Sequence, residues 1–251
     1  MFDIAGRLFL ITGSSRGLGY AMARGFTERG AMVVINGISP DRVAKSTEEL
    51  RARGGKAYGY SFDVTEESAV DKAVELIETE VGPIDVLVNN AGIHRRAPLE
   101  EMSIADWREV IETNLTAAFT VSKLVARRMI RRRKGKIINI TSINAEMARP
   151  SLGNYCAAKA GLKMLTKSMA AEWGRYGINV NAIGPGYFIT DMTEKLVKDP
   201  EFDAWVRGEV PLGRWGRPEE LIGTAVFLAS DASSYVHGHT IYVDGGWQAS
   251  L

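Results

Sequence analysis

Several scarcities in the 251-residue sequence narrow what the protein is. Cysteine occurs once, as Cys156. An internal disulfide is thereby excluded, and a reducing, cytoplasmic setting is permitted. The three histidines are His94, His237 and His239. His237 and His239 flank a glycine, but a metal site would need a further ligand and no motif supplies one, so we expect no metal. Neither charge is in excess, since 31 basic and 30 acidic residues leave a net charge of +1. The whole molecule is not expected to generate a field that recruits nucleic acid. No apolar run approaches the length of a membrane span. The start, MFDIAGRLFLITG, lacks a basic segment followed by a long apolar stretch and a small-residue cleavage site, so we read no signal peptide. No Pro/Ser-rich linker and no repeat divide the chain, and a single domain over residues 1–251 is expected.

What is present alternates in period. Short apolar runs (RLFLITG, AMVVING, KAYGYSFD, IDVLVNNAG, GKIINITS, INVNAIGPG and HTIYVDGG) are separated by longer amphipathic stretches. The runs read as seven strands and the stretches as helices. One long helix is expected from about Ser103 to Arg131, and another from Tyr155 to about Arg175. Two short helices are expected in an inserted segment after the sixth strand. Alternation of this kind implies parallel strands with helices on both faces, a doubly wound, Rossmann-like α/β domain. Continuous apolar strands such as AMVVI fit a sheet buried on both sides.

The first strand runs into TGSSRGLG, so Thr12, Gly13, Gly17 and Gly19 bridge strand to helix. Glycines at such a junction let the backbone approach a pyrophosphate, and the helix N-terminus offers amide donors to it. Gly13, Ser15, Arg16, Gly17, Leu18 and Gly19 are therefore candidate cofactor contacts. The second strand ends at Asn36-Gly37 with no carboxylate to repel a 2′-phosphate, and Arg16 is placed to pair with one. Asn36 and Ser39 join the cofactor set, with Arg42 read as a solvated helix residue. NADP(H) is favoured over NAD(H).

Tyr155 and Lys159 are four apart on one helix and share a face. A tyrosine titrates near ~10, too high for a base at neutral pH. One ammonium at ~4 Å in a partly screened site contributes roughly 4 kcal/mol, enough to lower a phenol by about 3 units. Tyr155 is the expected general acid/base. Ser142, upstream in TSINAEMARPSLGNYCAAK, is the expected partner of the substrate oxygen.

With these residues in hand, the chain resembles the short-chain dehydrogenase/reductase family over nearly its whole length. The matching features are Thr12-Gly-x-x-x-Gly-x-Gly19, Asp63-Val64, NNAG at 89–92, Asn114, Ser142, Tyr155, Lys159 and PGYFIT at 185–190. The resemblance implies that Asp63 and Val64 line the adenine pocket and that Asn90, Ala91 and Gly92 border the adenosine ribose. It implies that Lys159 also holds the nicotinamide ribose and is linked through water to Asn114. Pro185, Gly186, Ile189 and Thr190 would flank the nicotinamide. It further implies a homotetramer, packed through the Tyr155 helix and the long helix before it.

Within the family the chain is most similar to the gluconate 5-dehydrogenases, through NNAGIHRRAPLEEM, MARP, NAIGPGYFITDM, GRWGRPEELIG and IYVDGG with a Ser-Leu end. It departs from them at Ile38, where an arginine often follows Asn-Gly. The implied reaction is the NADP(H)-linked interconversion of D-gluconate and 5-keto-D-gluconate. A carboxylated polyol calls for a cation and several hydrogen-bond partners, and Arg149, Arg95, Arg96 and Asn144 are the candidates. Other sugar-acid or polyol dehydrogenases, a 3-oxoacyl-carrier-protein reductase and a catalytically silent nucleotide-binding regulator remain alternatives. The basic run RRMIRRRKGK from Arg127 reads as a solvated helix end, or as a dock for an acidic carrier protein. Cys156 reads as a buried thiol. The segment 188–210 reads as a lid over the substrate.

Overall fold

The computed structural model describes residues 1–249, so the Ser250-Leu251 end lies outside the described residues. The strands are β1 (Leu8–Ile11), β2 (Met32–Gly37), β3 (Lys56–Ser61), β4 (Val86–Asn89), β5 (Gly135–Ile140), β6 (Ile178–Pro185) and β7 (Thr240–Val243). They form one parallel sheet in the order β3-β2-β1-β4-β5-β6-β7. The helices are α1 (Gly17–Thr27), α2 (Pro40–Ala52), α3 (Glu67–Glu80), α4 (Ile104–Ile111), α5 (Ala117–Arg132), α6 (Gly153–Trp173), α7 (Glu194–Val197), α8 (Pro200–Glu209) and α9 (Ile222–Ala229). The expected single α/β domain with helices on both faces is what forms.

Alternate residues of the strands feed two apolar layers, as the pleat requires. On one face Phe9, Ile11 and Val33 pack with Phe26 of α1, Leu50 of α2 and Ala225 of α9. On the other, Leu8, Leu10 and Leu87 pack with Val74 of α3, Val125 of α5 and Met169 of α6. Strand order reverses at β1, which pairs with both β2 and β4. A crevice opens beyond the C-terminal ends of strands at such a switch point.

A chain of buried amides fixes how α5 and α6 sit on the sheet. Asn89 donates to Ser122 Oγ and to Asn139 Oδ1, each at 2.8 Å. Asn139 in turn donates to Thr166 Oγ1 at 2.9 Å. These bonds tie β4 and β5 to the two helices and hold α6 in register. Tyr155 and Lys159 are carried on α6.

The helix expected from Ser103 to Arg131 is not uniform. Glu112–Thr116, between α4 and α5, is a π-helical turn. Such turns insert a residue into the α pattern and occur at functional sites. The 3.6-residue period carries no sign of it.

The basic run is largely absorbed by the fold. Arg128 and Arg132 face Glu78, with nitrogen–oxygen separations of 3.7 and 2.9 Å. Arg133 donates to the Arg175 carbonyl at 2.9 Å. These contacts favour the reading as a helix end over that as a docking surface. His237 is also structural, since its Nδ1 accepts from the Val180 amide at 3.2 Å and its Nε2 lies 2.8 Å from the Ala170 carbonyl. Cys156 is half-buried, a correction to the buried thiol read from its apolar neighbours.

Candidate active site

A cleft of about 990 Å³ lies over the C-terminal ends of β1, β4 and β5. One wall is the turn between β1 and α1. Gly13 has φ +60°, and a Cβ there would sit 2.8 Å from the Ala91 Cα. Only glycine meets both demands. At Gly19 a Cβ would come within 2.5 Å of Asn90 Nδ2. Asn90 closes the turn by donating to the carbonyls of Thr12 and Gly13 at 3.0 and 2.9 Å. Thr12 Oγ1 accepts from the amides of Asn90 and Ala91. The turn is thus rigid before any ligand arrives. Gly17 is also at positive φ, with nothing within 4 Å of the place a Cβ would take, so the approach to the helix N-terminus is open. The site fits a dinucleotide phosphate.

Ser15, Arg16, Gly17, Leu18, Ser39, Asp63, Val64, Asn90, Ala91 and Gly92 line this part of the cleft. Arg16 is exposed and has no ion-pair partner among the described residues. Arg42 lines the cleft as well. Asn36 lines the cleft and also has a structural role. Its Oδ1 accepts from the Gly13 amide at 3.1 Å and its Nδ2 donates to the Phe62 carbonyl at 3.0 Å. Its amide braces β1 against β3 and is engaged on both sides. Gly19 and Ile189 do not line the cleft. Gly19 acts by letting Asn90 approach, and Ile189 is 46% exposed. Pro185, Gly186 and Thr190 do line it.

The π turn explains Asn114. Its buried side chain bridges the backbone of Ile93, with Oδ1 accepting from the amide and Nδ2 donating to the carbonyl, both at 2.8 Å. Asn114 is not among the residues that line the cleft, and stands behind Gly92, which is. It lies against Gly92 together with Lys159, since a Cβ on Gly92 would be 3.3 Å from Asn114 Oδ1 and 3.6 Å from Lys159 Nζ.

Ser142, Tyr155 and Lys159 come together at the cleft floor. The Ser142 hydroxyl accepts from the Asn144 amide at 3.1 Å and is near enough to the Tyr155 phenol to act on it. The expected pairing of Tyr155 with Lys159 is corrected. Lys159 Nζ donates to the Ile140 carbonyl at 2.7 Å and stands 5.6 Å from the Tyr155 ring centre. Sharing a helical face brought the two near one another, but the amine is bonded to the Ile140 carbonyl and the phenol is raised, not lowered. Burial pushes the Tyr155 phenol above its ordinary value, and the Ser142 hydroxyl opposes that rise. Burial also lowers the Lys159 amine to about 8.

The substrate-facing cations separate in the same way. Arg149 does not line the cleft. Its guanidinium lies 3.9 Å over the Trp205 ring centre and 5.0 Å over that of Phe202. A cation so placed is held by the ring quadrupoles and is not free to fork onto a carboxylate. The loop that carries it is anchored at Glu146, which accepts from Tyr242 at 2.5 Å and also pairs with Lys163. Arg95 is engaged too, 2.7 Å from Glu109. Arg96 lines the cleft, with no ion-pair partner among the described residues, and His94 and Asn144 line it nearby. Arg149→Ala is accordingly expected to lower kcat/KM for a carboxylated ketone and a neutral polyhydroxy ketone by the same factor. A loss confined to the carboxylated substrate would restore Arg149 as its anchor.

The family model described as enoyl-(acyl carrier protein) reductase matches residues 13–248. The chain belongs to the short-chain dehydrogenase/reductase family. Among relatives in that family, the chain is 49% identical to the gluconate 5-dehydrogenase of Gluconobacter oxydans, covering 100% of this chain and 98% of the relative. It is also 49% identical to the 2-dehydro-3-deoxy-D-gluconate 5-dehydrogenase of Formosa agariphila, over 100% of this chain and 96% of the relative. The solved structure of a gluconate 5-dehydrogenase from Burkholderia cenocepacia in complex with NADP and tartrate superposes with a TM-score of 0.97. It is 47% identical, covering 100% of this chain and 98% of that one. In this short-chain dehydrogenase/reductase, Ser142, Tyr155 and Lys159 line the same cleft as the glycine turn. The π turn, the braced Asn36 and the stacked Arg149 were not predictable from spacing. The sequence reading also passed over Tyr187, inside PGYFIT, which lines the cleft. Its only signal was an aromatic residue within a motif read for its backbone. Among the described residues, no group of His, Cys, Asp and Glu is arranged to hold a metal.

Proposed function

We propose that the protein is an NADP(H)-dependent oxidoreductase that interconverts D-gluconate and 5-keto-D-gluconate. The observation that carries this reading is the cleft itself. It joins a phosphate turn and Arg16 to Ser142 and Tyr155 side by side and to Arg96, and neither arginine has an ion-pair partner among the described residues. The relatives' names agree on a gluconate skeleton handled at carbon 5.

Bound NADP(H) supplies or accepts the hydride. Tyr155 gives its phenolic proton to the carbonyl oxygen in reduction and takes the hydroxyl proton in oxidation. Ser142 donates to the same oxygen and steadies the charge that develops there. Lys159, fixed through the Ile140 carbonyl and facing Asn114 across Gly92, orients the ribose and feeds protons to the site. Arg96 takes the substrate carboxylate, and Asn144 a hydroxyl. Gly13 to Leu18, Ser39, Asp63, Val64, Asn90 to Gly92, and Pro185, Gly186 and Thr190 form the dinucleotide groove. The segment 188–210, carrying α7 and α8, serves as the lid that keeps water from the hydride step.

The same proposal takes the enzyme as a cytoplasmic homotetramer. Exposed Trp107, Phe119 and Met164 on α4, α5 and α6 support an interface on those helices. No helix among the described residues is long and apolar enough to cross a membrane.

Purified protein mixed with NADPH is expected to consume it when 5-keto-D-gluconate is added. Arg96→Ala should raise KM for that substrate by about tenfold or more, the loss of a charged hydrogen bond. Absence of NADPH consumption with 5-keto-D-gluconate would refute the reading. For the cofactor, Arg16→Ala is expected to weaken NADPH binding about tenfold and leave NADH nearly unchanged. Equal weakening of both would remove Arg16 from the 2′-phosphate.

A further inference from the structure

The Tyr187 ring stands at the cleft wall between the catalytic floor and the α7–α8 segment. It follows Gly186 at the end of β6 and is only half-buried. Four aromatic rings enclose it. Trp247 lies at 5.1 Å between ring centres, Trp215 at 5.5 Å, and Phe202 and Trp205 at 5.8 Å. Three of these contacts are edge-on, the arrangement that quadrupoles favour. Arg149 closes the box, 5.9 Å over the Tyr187 ring. The ring is thus packed on several sides.

Its hydroxyl is treated differently. Among the described residues the Tyr187 phenol makes no hydrogen bond, although other tyrosines here do, as Tyr20 with Glu49, Tyr60 with Glu80 and Tyr242 with Glu146. The side chain lines the cleft with Ser142, Asn144, Tyr155 and Arg96. It is close enough to Tyr155 to act on that phenol, and Arg96 and Arg149 both act on Tyr187. A rigid ring in an apolar box, with its one polar atom left free beside the acid/base, is organised for a ligand and not for packing.

We propose that Tyr187 is a specificity-determining residue whose phenol hydrogen-bonds a substrate hydroxyl next to the reacting carbon. This rests on the reading of the cleft as a site for a polyhydroxylated keto acid, and adds the group that recognises its hydroxyls. The stacked Arg149 is then a positioning residue that holds the ring.

The test compares two ketones with the same spacing of carboxylate and carbonyl. 5-Keto-D-gluconate carries hydroxyls on the intervening carbons and 5-oxohexanoate carries none. Tyr187→Phe keeps the ring and its box while removing the phenol oxygen. It is expected to raise KM for 5-keto-D-gluconate by about three- to tenfold, the weight of one neutral hydrogen bond. It should leave 5-oxohexanoate unchanged, read as KM or as an inhibition constant against 5-keto-D-gluconate. NADPH affinity and the thermal midpoint should not move. An equal shift for both ketones, or none for either, overturns the assignment. Failure of the unaltered enzyme to reduce 5-keto-D-gluconate instead overturns the parent reading. A working unaltered enzyme with an unshifted variant overturns Tyr187 alone.

Discussion

Tyr155→Phe is expected to lower reduction of 5-keto-D-gluconate by about 10³-fold or more, while NADPH still binds. Removing the phenol oxygen takes away the group placed to hand a proton to the carbonyl, and leaves Ser142 able only to steady that oxygen. The phosphate turn is untouched, because it is braced by Asn90 and Thr12 and has no contact with the phenol. The pH dependence has a definite sign. Burial raises the Tyr155 phenol, so at neutral pH it is protonated. That is the form required to reduce a ketone. Reduction should therefore be flat near neutrality and decline only as pH rises through the phenol's own titration. Oxidation of gluconate needs the deprotonated form and should increase with pH over the alkaline range. Stopped-flow rates in both directions across pH would check this. Retained turnover in Tyr155→Phe would overturn the assignment, and so would oxidation that is fastest in acid.

Lys136→Met is expected to stabilise the protein at pH 7, by up to about 3 kcal/mol, and to flatten its stability profile above pH 8. Lys136 is on β5, is 7% exposed, and reaches only Asn179 Oδ1 and Ser233 Oγ, each at 3.3 Å. Among the described residues no carboxylate pairs with its amine; Asp231 is paired with Arg7 at 2.7 Å. Burial, with Arg7 adding to it, holds the Lys136 amine down to about 8. In the unfolded chain it titrates near ~10.4. Between these values the unfolded state binds more protons than the folded state. Stability due to this residue thus rises as pH rises from about 8 towards ~10.4, and the penalty is fully present below about 8. Methionine has a similar length and no charge, and removes both the penalty and the slope. The gain will fall short of the full figure, because Asn179 Oδ1 loses its hydrogen bond. Urea melts of both proteins at pH 7 and pH 10 should show a gap that narrows at the higher pH. A variant less stable at pH 7, with the same slope as the parent, would show that the buried amine is not a burden.

The elements of the sheet were readable because a strand buried on both faces must be apolar throughout. The helices between strands must be amphipathic at another period. LFLI and MVVING have no other reading beside GLGYAMARGFT and PDRVAKSTEELRA. The glycine turn was readable for a similar reason. A positive φ and a 2.8 Å approach by Ala91 leave glycine alone at position 13, so the need is written in the residue type. Where a residue's chemistry depends on what folds beside it, the reading ran out. Asn114 required a π turn that no periodicity announces. Arg149 required knowledge that Trp205 and Phe202, more than fifty positions later, come to lie beneath it.

Local pattern and spacing by themselves determined the doubly wound sheet, the phosphate turn and the gathering of Ser142, Tyr155 and Lys159 at one cleft. Each of those depends on neighbours within a few residues or on a strand–helix alternation that recurs along the chain. Tertiary structure alone decided that Lys159 binds the Ile140 carbonyl, that Arg96 and not Arg149 lines the cleft, and that the Tyr187 phenol there has no hydrogen-bond partner among the described residues. The reason is physical. Electrostatic and hydrogen-bond energies depend on distances of a few ångströms and on burial, and both are set by the packing of segments far apart in the chain.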